Sequence, residues 1–528
     1  MQTRRQFVAA AGTAAAAAIL APEALAQAPV ARGGRFSQGV MSGEPTPRGI
    51  TLWTRLGDAG GDVSVALEVA QDRDFRRVVA RGRLPARASR DHNVKVRITG
   101  LRPHEHYYYR FSTRGTDGPV GRFRTALPPD SRETVRFAFW SCQDWTHGFY
   151  NAHEVMADEE DLDFVLCLGD YIYGETQESG PTAVRTDRIG RPGRVPGIAR
   201  EAVTLDDYRA KYRLYRSDPA LRRLHERFAT VMLWDDHEVQ DNYAGGERDG
   251  GLPPARRFSR RRERNAYRAF FEAMPYSPPV GDRIYRALRF GRTVDLIVMD
   301  QRQYRANQPC GDLIVPPCPE LLQPRAFLGR PQMDWVKARL RASPAAWKVM
   351  ANEVMMMPAK LPNGAFALFD SWQGYPAERE ELLAFIKANG IADVVFVTGD
   401  IHTFIAGDVR TALGAGESVA LEFVGGSISS RGLGEGEGGV LGPGNDRNPN
   451  TPPGVVDILR AANPWVDQAD LDHHGYARVT ASQTAFDCEL VRMQTVKRRS
   501  RARLASAGFR WTVARGQRTI KGVNGPAA

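Results

Sequence analysis

The segment that decides the fold class is Phe164-Val165-Leu166-Cys167-Leu168-Gly169-Asp170-Tyr171-Ile172-Tyr173. Its first five residues are apolar, and a short apolar run that ends at glycine predicts a buried β-strand. Ionisable side chains follow the run at once, in Asp170 and Tyr173. In open α/β sheets, functional residues gather beyond the carboxyl ends of the strands. The segment therefore predicts an α/β sheet with a site at that edge.

Five other segments repeat this pattern of an apolar run that ends in polar or ionisable residues. One such strand would carry little weight, but six of them predict a single site built from many loops. The runs and the residues that follow them are Val135–Trp140 with Ser141-Cys142, 230–234 with Asp235-Asp236-His237-Glu238, 294–299 with Asp300, 347–351 with Asn352-Glu353, and Val394–Thr398 with Gly399-Asp400.

Residues 34–125 are predicted to form a separate, small all-β domain. Apolar and polar residues alternate over 63–69 and 94–98, which is the pattern of half-buried strands. Leu101-Arg102-Pro103 precedes a tyrosine-rich run that includes Tyr107. This order resembles fibronectin-type sandwiches, in which a corner tyrosine bonds to the backbone. Residues 126–130 are predicted to link the sandwich to the sheet domain.

Residues 1–26 are predicted to be a signal peptide. Arg4 and Arg5 precede Phe7 and an alanine-rich apolar run, and Ala24-Leu25-Ala26 supplies small residues for a signal peptidase. The paired arginines resemble the twin-arginine signal, which exports folded proteins. A basic start followed by an alanine-rich tail is the alternative. We expect export by the twin-arginine machinery to the periplasm or the medium, with no transmembrane anchor in the mature form.

Composition excludes several classes of protein. A length of 528 residues suggests two or three domains, and no apolar run reaches 18 residues, which excludes a multi-spanning membrane protein. Five cysteines are too few for a disulfide scaffold. The net charge of +11 attracts anions in general and does not select among phosphates, nucleic acids and acidic lipid surfaces.

The residue types at the strand ends fit a site with two metal ions. Such a site needs a bridging carboxylate and several nitrogen or oxygen ligands. The phenol of Tyr173 can return to an ion held by Asp170, and a phenolate favours iron(III) over zinc. Clustered carboxylates at 235–238 would repel one another unless cations intervene. Cys142 is either a thiolate ligand or a small buried residue, and Asn352 is either an oxygen ligand or a hydrogen-bonding residue.

These motifs together resemble the PhoD family of alkaline phosphatases, within the calcineurin-like metallophosphatases. The resemblance spans nearly the whole chain and implies a four-layer αββα catalytic domain, placed at residues 131–515, after the sandwich. The motifs that carry it are Ser141-Cys142-Gln143, Gly169-Asp170-Tyr171-Ile172-Tyr173, Trp234-Asp235-Asp236-His237-Glu238-Val239, Asp300-x-Arg302-Gln303-Tyr304-Arg305, Gln308-Pro309-Cys310-Gly311-Asp312, Gly399-Asp400-x-His402 and the run 422–430.

The resemblance implies iron(III) and calcium as cofactors. Residue by residue, the iron ligands would be Cys142, Asp170, Tyr173 and His402. Asp170 would also bridge to the calcium ion, whose further ligands would be Asp236, Asn352 and Asp400. The choice between Asp235 and Asp236 stays open, and we prefer Asp236 because it directly precedes His237, as Asn precedes His in the wider superfamily.

The resemblance also implies the reaction, in which a hydroxide on the metal attacks a phosphate ester and inorganic phosphate leaves. His237 either protonates the leaving oxygen or orients a ligand. Arg302 and Arg305 either clamp phosphate or pair with aspartates, and we assign no substrate-binding residue.

We expect small or polymeric phosphate esters as substrates, monoesters above all, and no stable nucleic-acid complex. A phospholipase D-like phosphodiesterase is the alternative. A further alternative is a wall- or polymer-binding surface protein with a vestigial site. Cys310 and Cys318 are spaced for a local disulfide after export, or else both stay reduced.

Overall fold

The computed structural model describes residues 18–20, 28–175, 184–185, 201–245, 259–276, 278, 281–312, 318–435 and 451–520. Of the expected signal peptide it describes only Ala18–Leu20, a short strand, and the rest of that prediction lies outside the described residues. The segments 176–183 and 186–200 lie outside the described residues too. Within the described ranges, no helix is both long enough and apolar enough to cross a membrane.

The N-terminal part is a sandwich of two antiparallel sheets. Its described strands are β1 (Ala18–Leu20), β2 (Val40–Thr46), β3 (Gly49–Arg55), β4 (Val63–Ala70), β5 (Val78–Ala86), β6 (Asn93–Thr99), β7 (His106–Ser112) and β8 (Gly121–Arg124). The sheet orders are β1-β6-β3-β2 and β5-β4-β7-β8. Alternate residues of β6, such as Val94 and Val96, enter the core between the sheets. The hydroxyl of Tyr107 accepts from the backbone N–H of Arg102 at 2.9 Å, which confirms the predicted corner.

The C-terminal part contains two mixed sheets. The described strands are β9 (Val135–Trp140), β10 (Phe164–Cys167), β11 (Thr230–Met232), β12 (Arg286–Phe290), β13 (Val294–Val298), β14 (Trp347–Asn352), β15 (Ala359–Lys360), β16 (Phe366–Ala367), β17 (Val394–Thr398), β18 (Phe404–Ala412), β19 (Ala415–Gly425), β20 (Val466–Asp470), β21 (His474–Ala481), β22 (Ala485–Met493) and β23 (Arg510–Ala514). One sheet has the order β11-β10-β9-β21-β22-β23 and the other β12-β13-β14-β17-β19-β18-β20, while β15 and β16 form a separate hairpin.

Helices cover the outer faces of both sheets. They are α1 (Asn151–Met156), α2 (Leu205–Tyr215), α3 (Pro219–Arg227), α4 (Arg260–Ala273), α5 (Arg330–Ala342), α6 (Pro376–Ala388) and α7 (Val455–Ala462). Two of the helix starts carry the expected caps. Thr204 and Asp207 form a capping box at α2, and Asp218 accepts from two backbone N–H groups at α3.

The two sheets pack face to face because alternate residues point to opposite sides of each strand. In β17, Val395 and Val397 enter the core between the sheets, whereas Val394 and Phe396 pack under α5 and α6. In β9, Phe139 lies against Gly425 of the other sheet. Its neighbour Trp140 turns outward onto His153 of α1, with ring centroids 4.5 Å apart. This arrangement confirms the four-layer αββα architecture.

Both halves of the C-terminal part contribute parallel strands to one edge. β9, β10 and β11 run parallel in the first sheet, and β13, β14 and β17 run parallel in the second. All six predicted segments are therefore strands, and their carboxyl ends come from two facing sheets rather than from one. The site lies where these two edges meet.

The sandwich rests on the carboxyl end of α4. The indole of Trp53 donates to the carbonyl of Glu272 at 2.8 Å, and the ammonium of Lys95 donates to the carbonyls of Phe271 and Tyr276, each at 2.5 Å. The last carbonyls of a helix lack partners within the helix. The sandwich therefore supplies the donors that end α4.

Candidate metal centre

Four of the predicted ligands have an unusual backbone conformation. Cys142, Asp170, Asp400 and His402 have φ angles of 57°, 53°, 70° and 55°. These values lie in the left-handed region, which residues with a Cβ atom adopt at a cost. Each of these residues lies two to four positions beyond the end of a strand, in the turn that bends the chain at the sheet edge. Strain concentrated in this way is typical of functional sites.

Gly169 brings two of these turns into contact. Its φ is 108°, and a Cβ atom there would lie 2.4 Å from the Cβ of Asp235. Only glycine allows the backbone after β10 to approach the backbone after β11 this closely. The backbone turns that carry Asp170 and Asp235 are therefore held side by side.

Cys142, Asp170 and His402 converge on one point. Their ligand atoms lie within 4.8 Å of one another. The hydroxyl of Tyr173 lies 3.3 Å from Asp170 Oδ2 and 3.0 Å from His402 Nε2. His402 Nδ1 donates to the carbonyl of Arg431 at 2.7 Å, which leaves the Nε2 lone pair facing the other three groups. A thiol, a carboxyl group, a phenol and an imidazole thus surround one small space.

A second cluster of carboxylates surrounds the fully buried side chain of Arg302. Its guanidinium binds Asp370 at 2.7 Å and Asp236 at 3.2 Å, and reaches Asp400 at 3.5 Å. It also binds Asp235, and the neighbouring Arg305 binds Asp370. Both arginines therefore pair with aspartates, which is one of the two roles predicted for them. Asp235, Asp236 and Asp400 also lie within 4.8 Å of one another.

Negative charge exceeds positive charge in this space. Two buried guanidinium groups, those of Arg302 and Arg305, face a larger set of carboxylates. The members of that set are Asp170, Asp235, Asp236, Asp370 and Asp400. With all five carboxyl groups ionised, negative charge would exceed positive charge here, and a buried excess of this kind is unstable without bound cations.

Burial shifts the acid–base equilibria of the site in the directions that this excess predicts. Desolvation and neighbouring carboxylates raise the pKa of Asp170 and of Asp400 well above the usual range. Burial also raises the pKa of the Cys142 thiol, and Asp170 adds to that effect. Asp236 differs, because Arg302 and His237 outweigh its burial and lower its pKa to about 2.

His237 lies between the two clusters and lines a cavity of about 340 Å³. Its Nδ1 lies 2.8 Å from Glu175 Oε2, and its ring lies on that of Tyr173 with centroids 4.1 Å apart. Burial lowers the pKa of His237, but Asp236, Glu175 and Asp170 outweigh it and raise the pKa well above the usual range. The imidazole is therefore held by Glu175 at the wall of the cavity.

Family models match both parts of the chain. The model for the PhoD-like phosphatase matches residues 137–490, and that for the PhoD-like phosphatase N-terminal domain matches residues 22–127. The chain belongs to the PhoD-like phosphatase family. It is 37% identical over 467 residues to alkaline phosphatase D of Bacillus subtilis (strain 168), covering 85% of this chain and 76% of that protein.

Solved structures agree with this membership. A structure described as that of PhoD matches with a TM-score of 0.82 and 33% identity, over 94% of this chain and 93% of that one. Purple acid phosphatase PPD1 from yellow lupin (Lupinus luteus) seeds matches with a TM-score of 0.55 and 11% identity, over 93% of this chain and 76% of that one, which shows a shared fold. The PhoD-like phosphatase described here is a metal-dependent phosphoric ester hydrolase.

Asn352 is not brought together with the other predicted ligands. Its side-chain oxygen accepts from Gln301 and from the indole of Trp372, the latter at 3.0 Å. Its amide nitrogen donates to Val354 and Thr398. The described lining of the cavity does not include it. In this structure Asn352 is a buried hydrogen-bonding residue, the second of its two predicted roles.

Glu238 holds the loops of the PhoD-like phosphatase together, a role that sequence reasoning missed. Its carboxylate accepts from the backbone N–H groups of Asp170, Tyr171 and Asp235, at 3.1, 2.7 and 2.8 Å. One buried side chain therefore fixes the turns after β10 and β11 together. Its place beside His237 was visible in the sequence, but its direction away from the cavity was not.

Sequence reasoning also missed three other residues of the site. Asp370 directly follows the apolar run 365–369, and it binds both buried arginines. Ser430 lies 2.6 Å from the hydroxyl of Tyr173. Asn242 lines the cavity with a left-handed φ of 54°. Its backbone N–H donates to Asp236 at 2.6 Å.

Proposed function

We propose that this phosphatase hydrolyses phosphate esters, monoesters above all, at a centre of iron(III) and calcium. Iron(III) is held by Cys142, Asp170, Tyr173 and His402. Phenolate and thiolate ligands favour a highly charged, polarising ion. The observation that carries the proposal is the convergence of these four groups around one point.

The donor atoms fit a metal ion. Asp170 is buried, and its Oδ1 has no hydrogen-bond partner in the described part of the chain. A buried carboxylate oxygen without a donor is costly unless a cation contacts it. The fixed tautomer of His402 presents its Nε2 lone pair to the same space. These features support one ion at this point.

The second ion, calcium, is assigned to Asp170, Asp236 and Asp400. Oxygen ligands of this kind suit calcium. Asp236 and Asp400 also contact Arg302, so the guanidinium supplies part of the neutralising charge and the ion the rest. We leave Asn352 out of the ligand set because its oxygen already accepts from two N–H groups.

When bound, the two ions lower the pKa of water and neutralise charge on the phosphoryl oxygens. Residues of the chain supply the proton donor and hold the site in position. His237, held by Glu175 and charged, points a proton donor into the cavity, where it can protonate the leaving oxygen. Glu238 and Gly169 keep the two aspartate turns in register, so the geometry exists before substrate arrives.

The decisive test replaces Asp170. Asp170→Asn is expected to lower kcat/KM for an aryl phosphate by about 10³-fold or more, because the shared carboxylate is lost. Asp334→Asn, at an exposed position on α5, is the matched control and should leave the rate unchanged. Retained activity in Asp170→Asn would overturn the bridging role.

Metal analysis tests the identity of the ions. The exported protein is expected to contain iron and calcium and to absorb visible light through Tyr173 and iron(III). Tyr173→Phe should abolish the colour, while Ser430→Ala, which removes only a neighbour of that hydroxyl, should keep it. A colourless active enzyme that contains zinc alone would refute the assignment. The ratio of turnover on an aryl monoester and an aryl diester separates phosphomonoesterase from phosphodiesterase.

Export through the twin-arginine pathway completes the proposal. Cys310 and Cys318 form a disulfide, which suits an oxidising compartment, and a folded export route suits a metal inserted in the cytoplasm. Replacement of Arg4 and Arg5 by lysine should trap active enzyme in the cytoplasm. Unchanged export of that variant would contradict the route.

A further inference from the structure

A second cavity, of about 150 Å³, adjoins the metal-site cavity. All but three of its seventeen lining residues are apolar. Three apolar side chains line both cavities and form the wall between them: Leu368, Ile401 and Leu433. The apolar space therefore begins where the polar site ends.

The loops that carry the polar groups also build this wall. Ile401 lies between the predicted ligands Asp400 and His402, and Leu368 lies two residues before Asp370. Leu433 lies two residues after Arg431, whose carbonyl fixes His402. The same three turns thus present polar atoms to one side and apolar atoms to the other. A single layer of side chains therefore separates a ligand atom at the metal site from the apolar cavity.

The remaining walls are fixed before any ligand arrives. Asn463, just after α7, clamps the β15–β16 hairpin: its amide donates to the carbonyl of Lys360 at 2.8 Å and its oxygen accepts from the N–H of Lys360 at 2.7 Å. Met355 and Met357, both buried, form the floor. A preformed pocket of this kind binds an apolar group without an ordering cost.

We propose that this cavity binds an apolar substituent of the phosphate ester, about the size of one aromatic ring. The inference rests on the proposed function and adds the chemical class of the alcohol that the ester carries. An apolar cavity of about 150 Å³ stays dry and binds benzene. With the phosphoryl group at the metal site, Leu368, Ile401 and Leu433 guide the substituent into it.

The cavity selects against polyhydroxylated alcohols. Its apolar walls offer almost no partner for a hydroxyl group, which would lose its hydrogen bonds to water on entry. Apolar pockets of this size discriminate by about tenfold to 200-fold per group. We therefore expect kcat/KM for benzyl phosphate to exceed that for glycerol phosphate by about tenfold or more.

Helix α7 offers a matched pair of variants. No residue of α7 is buried, and Leu459 lines the cavity, whereas its neighbour Ile458 is 54% exposed and does not line it. Leu459→Asp is expected to lower kcat/KM for benzyl phosphate about tenfold and to leave that for glycerol phosphate unchanged. Ile458→Asp, with the same charge on the same helix, should leave both unchanged.

Filling the cavity gives an independent readout. Ala469→Phe places a ring in the space from the opposite wall, in β20, and should raise KM for benzyl phosphate with little change for glycerol phosphate. Hydrolysis of glycerol phosphate shows that each variant is folded. If only diesters are turned over, the methyl diesters of the same two alcohols replace the monoesters.

The outcomes separate this inference from the proposed function. Absence of hydrolysis of every ester by the wild type would overturn the proposed function. Hydrolysis of both esters with no preference for the benzyl ester, or equal losses on both esters in Leu459→Asp and Ala469→Phe, would overturn the subsite alone.

Discussion

The two halves of the site handle negative charge in opposite ways. Around Arg302, each aspartate has a built-in cation, and Asp236 is further held by a backbone N–H. Around Asp170, no arginine contacts the carboxylate, and one of its oxygens has no partner in the described residues. The difference shows which charges the fold itself neutralises and which it leaves for an ion.

Loss of the built-in cation should have the largest effect. Arg302→Met leaves Asp235, Asp236 and Asp400 without their buried arginine, so the free energy of unfolding should fall by about 3–5 kcal/mol. Urea unfolding of the metal-free protein measures it. Arg330→Met removes an exposed arginine that also binds two carboxylates, and should cost no more than about 1 kcal/mol. Equal losses of unfolding free energy in the two variants would contradict the difference between the buried and the exposed arginine.

A pair of aspartate variants should show effects of opposite sign in chelated protein. Asp236→Asn should lower the free energy of unfolding by about 2 kcal/mol, because its charge is paired and its pKa is lowered to about 2. Asp170→Asn should raise it, because burial and the neighbouring carboxylates raise the pKa of Asp170. Thermal unfolding with a chelator at pH 8 measures both. Stabilisation by Asp236→Asn would contradict the comparison.

His237 lies on the border of the two halves and should matter less for stability than Arg302. His237→Asn should lower the free energy of unfolding by about 1.5–3 kcal/mol, the worth of a hydrogen bond between charged groups, here with Glu175. It should lower kcat for an alkyl phosphate by about 10²-fold or more and for an activated aryl phosphate by less, since a good leaving group needs no proton. Equal losses on the two substrates would instead assign His237 an orienting role.

The sequence predicted the strands well because strands that are buried on both faces consist of short runs of apolar residues. The segment before Gly169, and the five like it, are strands whose ends meet at one edge. Alternation over 94–98 likewise predicted β6. Parallel strands make this inference possible, since their carboxyl ends must share an edge. That two sheets supply the edge, rather than one, is a matter of packing between distant segments.

The sequence did not predict which groups the polar side chains of the site contact. Asn352 ends β14 much as the ligands lie beyond their strands, but its side-chain oxygen accepts hydrogen bonds from Trp372 and Gln301. Asp370 follows the apolar run 365–369, but its role comes from two arginines more than sixty residues earlier in the chain. Side-chain direction and long-range pairing decide such roles, and neither follows from local pattern.

The contact between Trp53, Lys95 and the end of α4 ties the sandwich to catalysis. Tyr267 of α4 stacks on Trp234 with centroids 4.4 Å apart, and Trp234 directly precedes Asp235. A fragment that begins at residue 131 would expose the carbonyls that the sandwich now covers and would leave the helix beneath the aspartate turn frayed. The sandwich is therefore more than an appended tail, because it completes the end of the helix on which the aspartate turn packs.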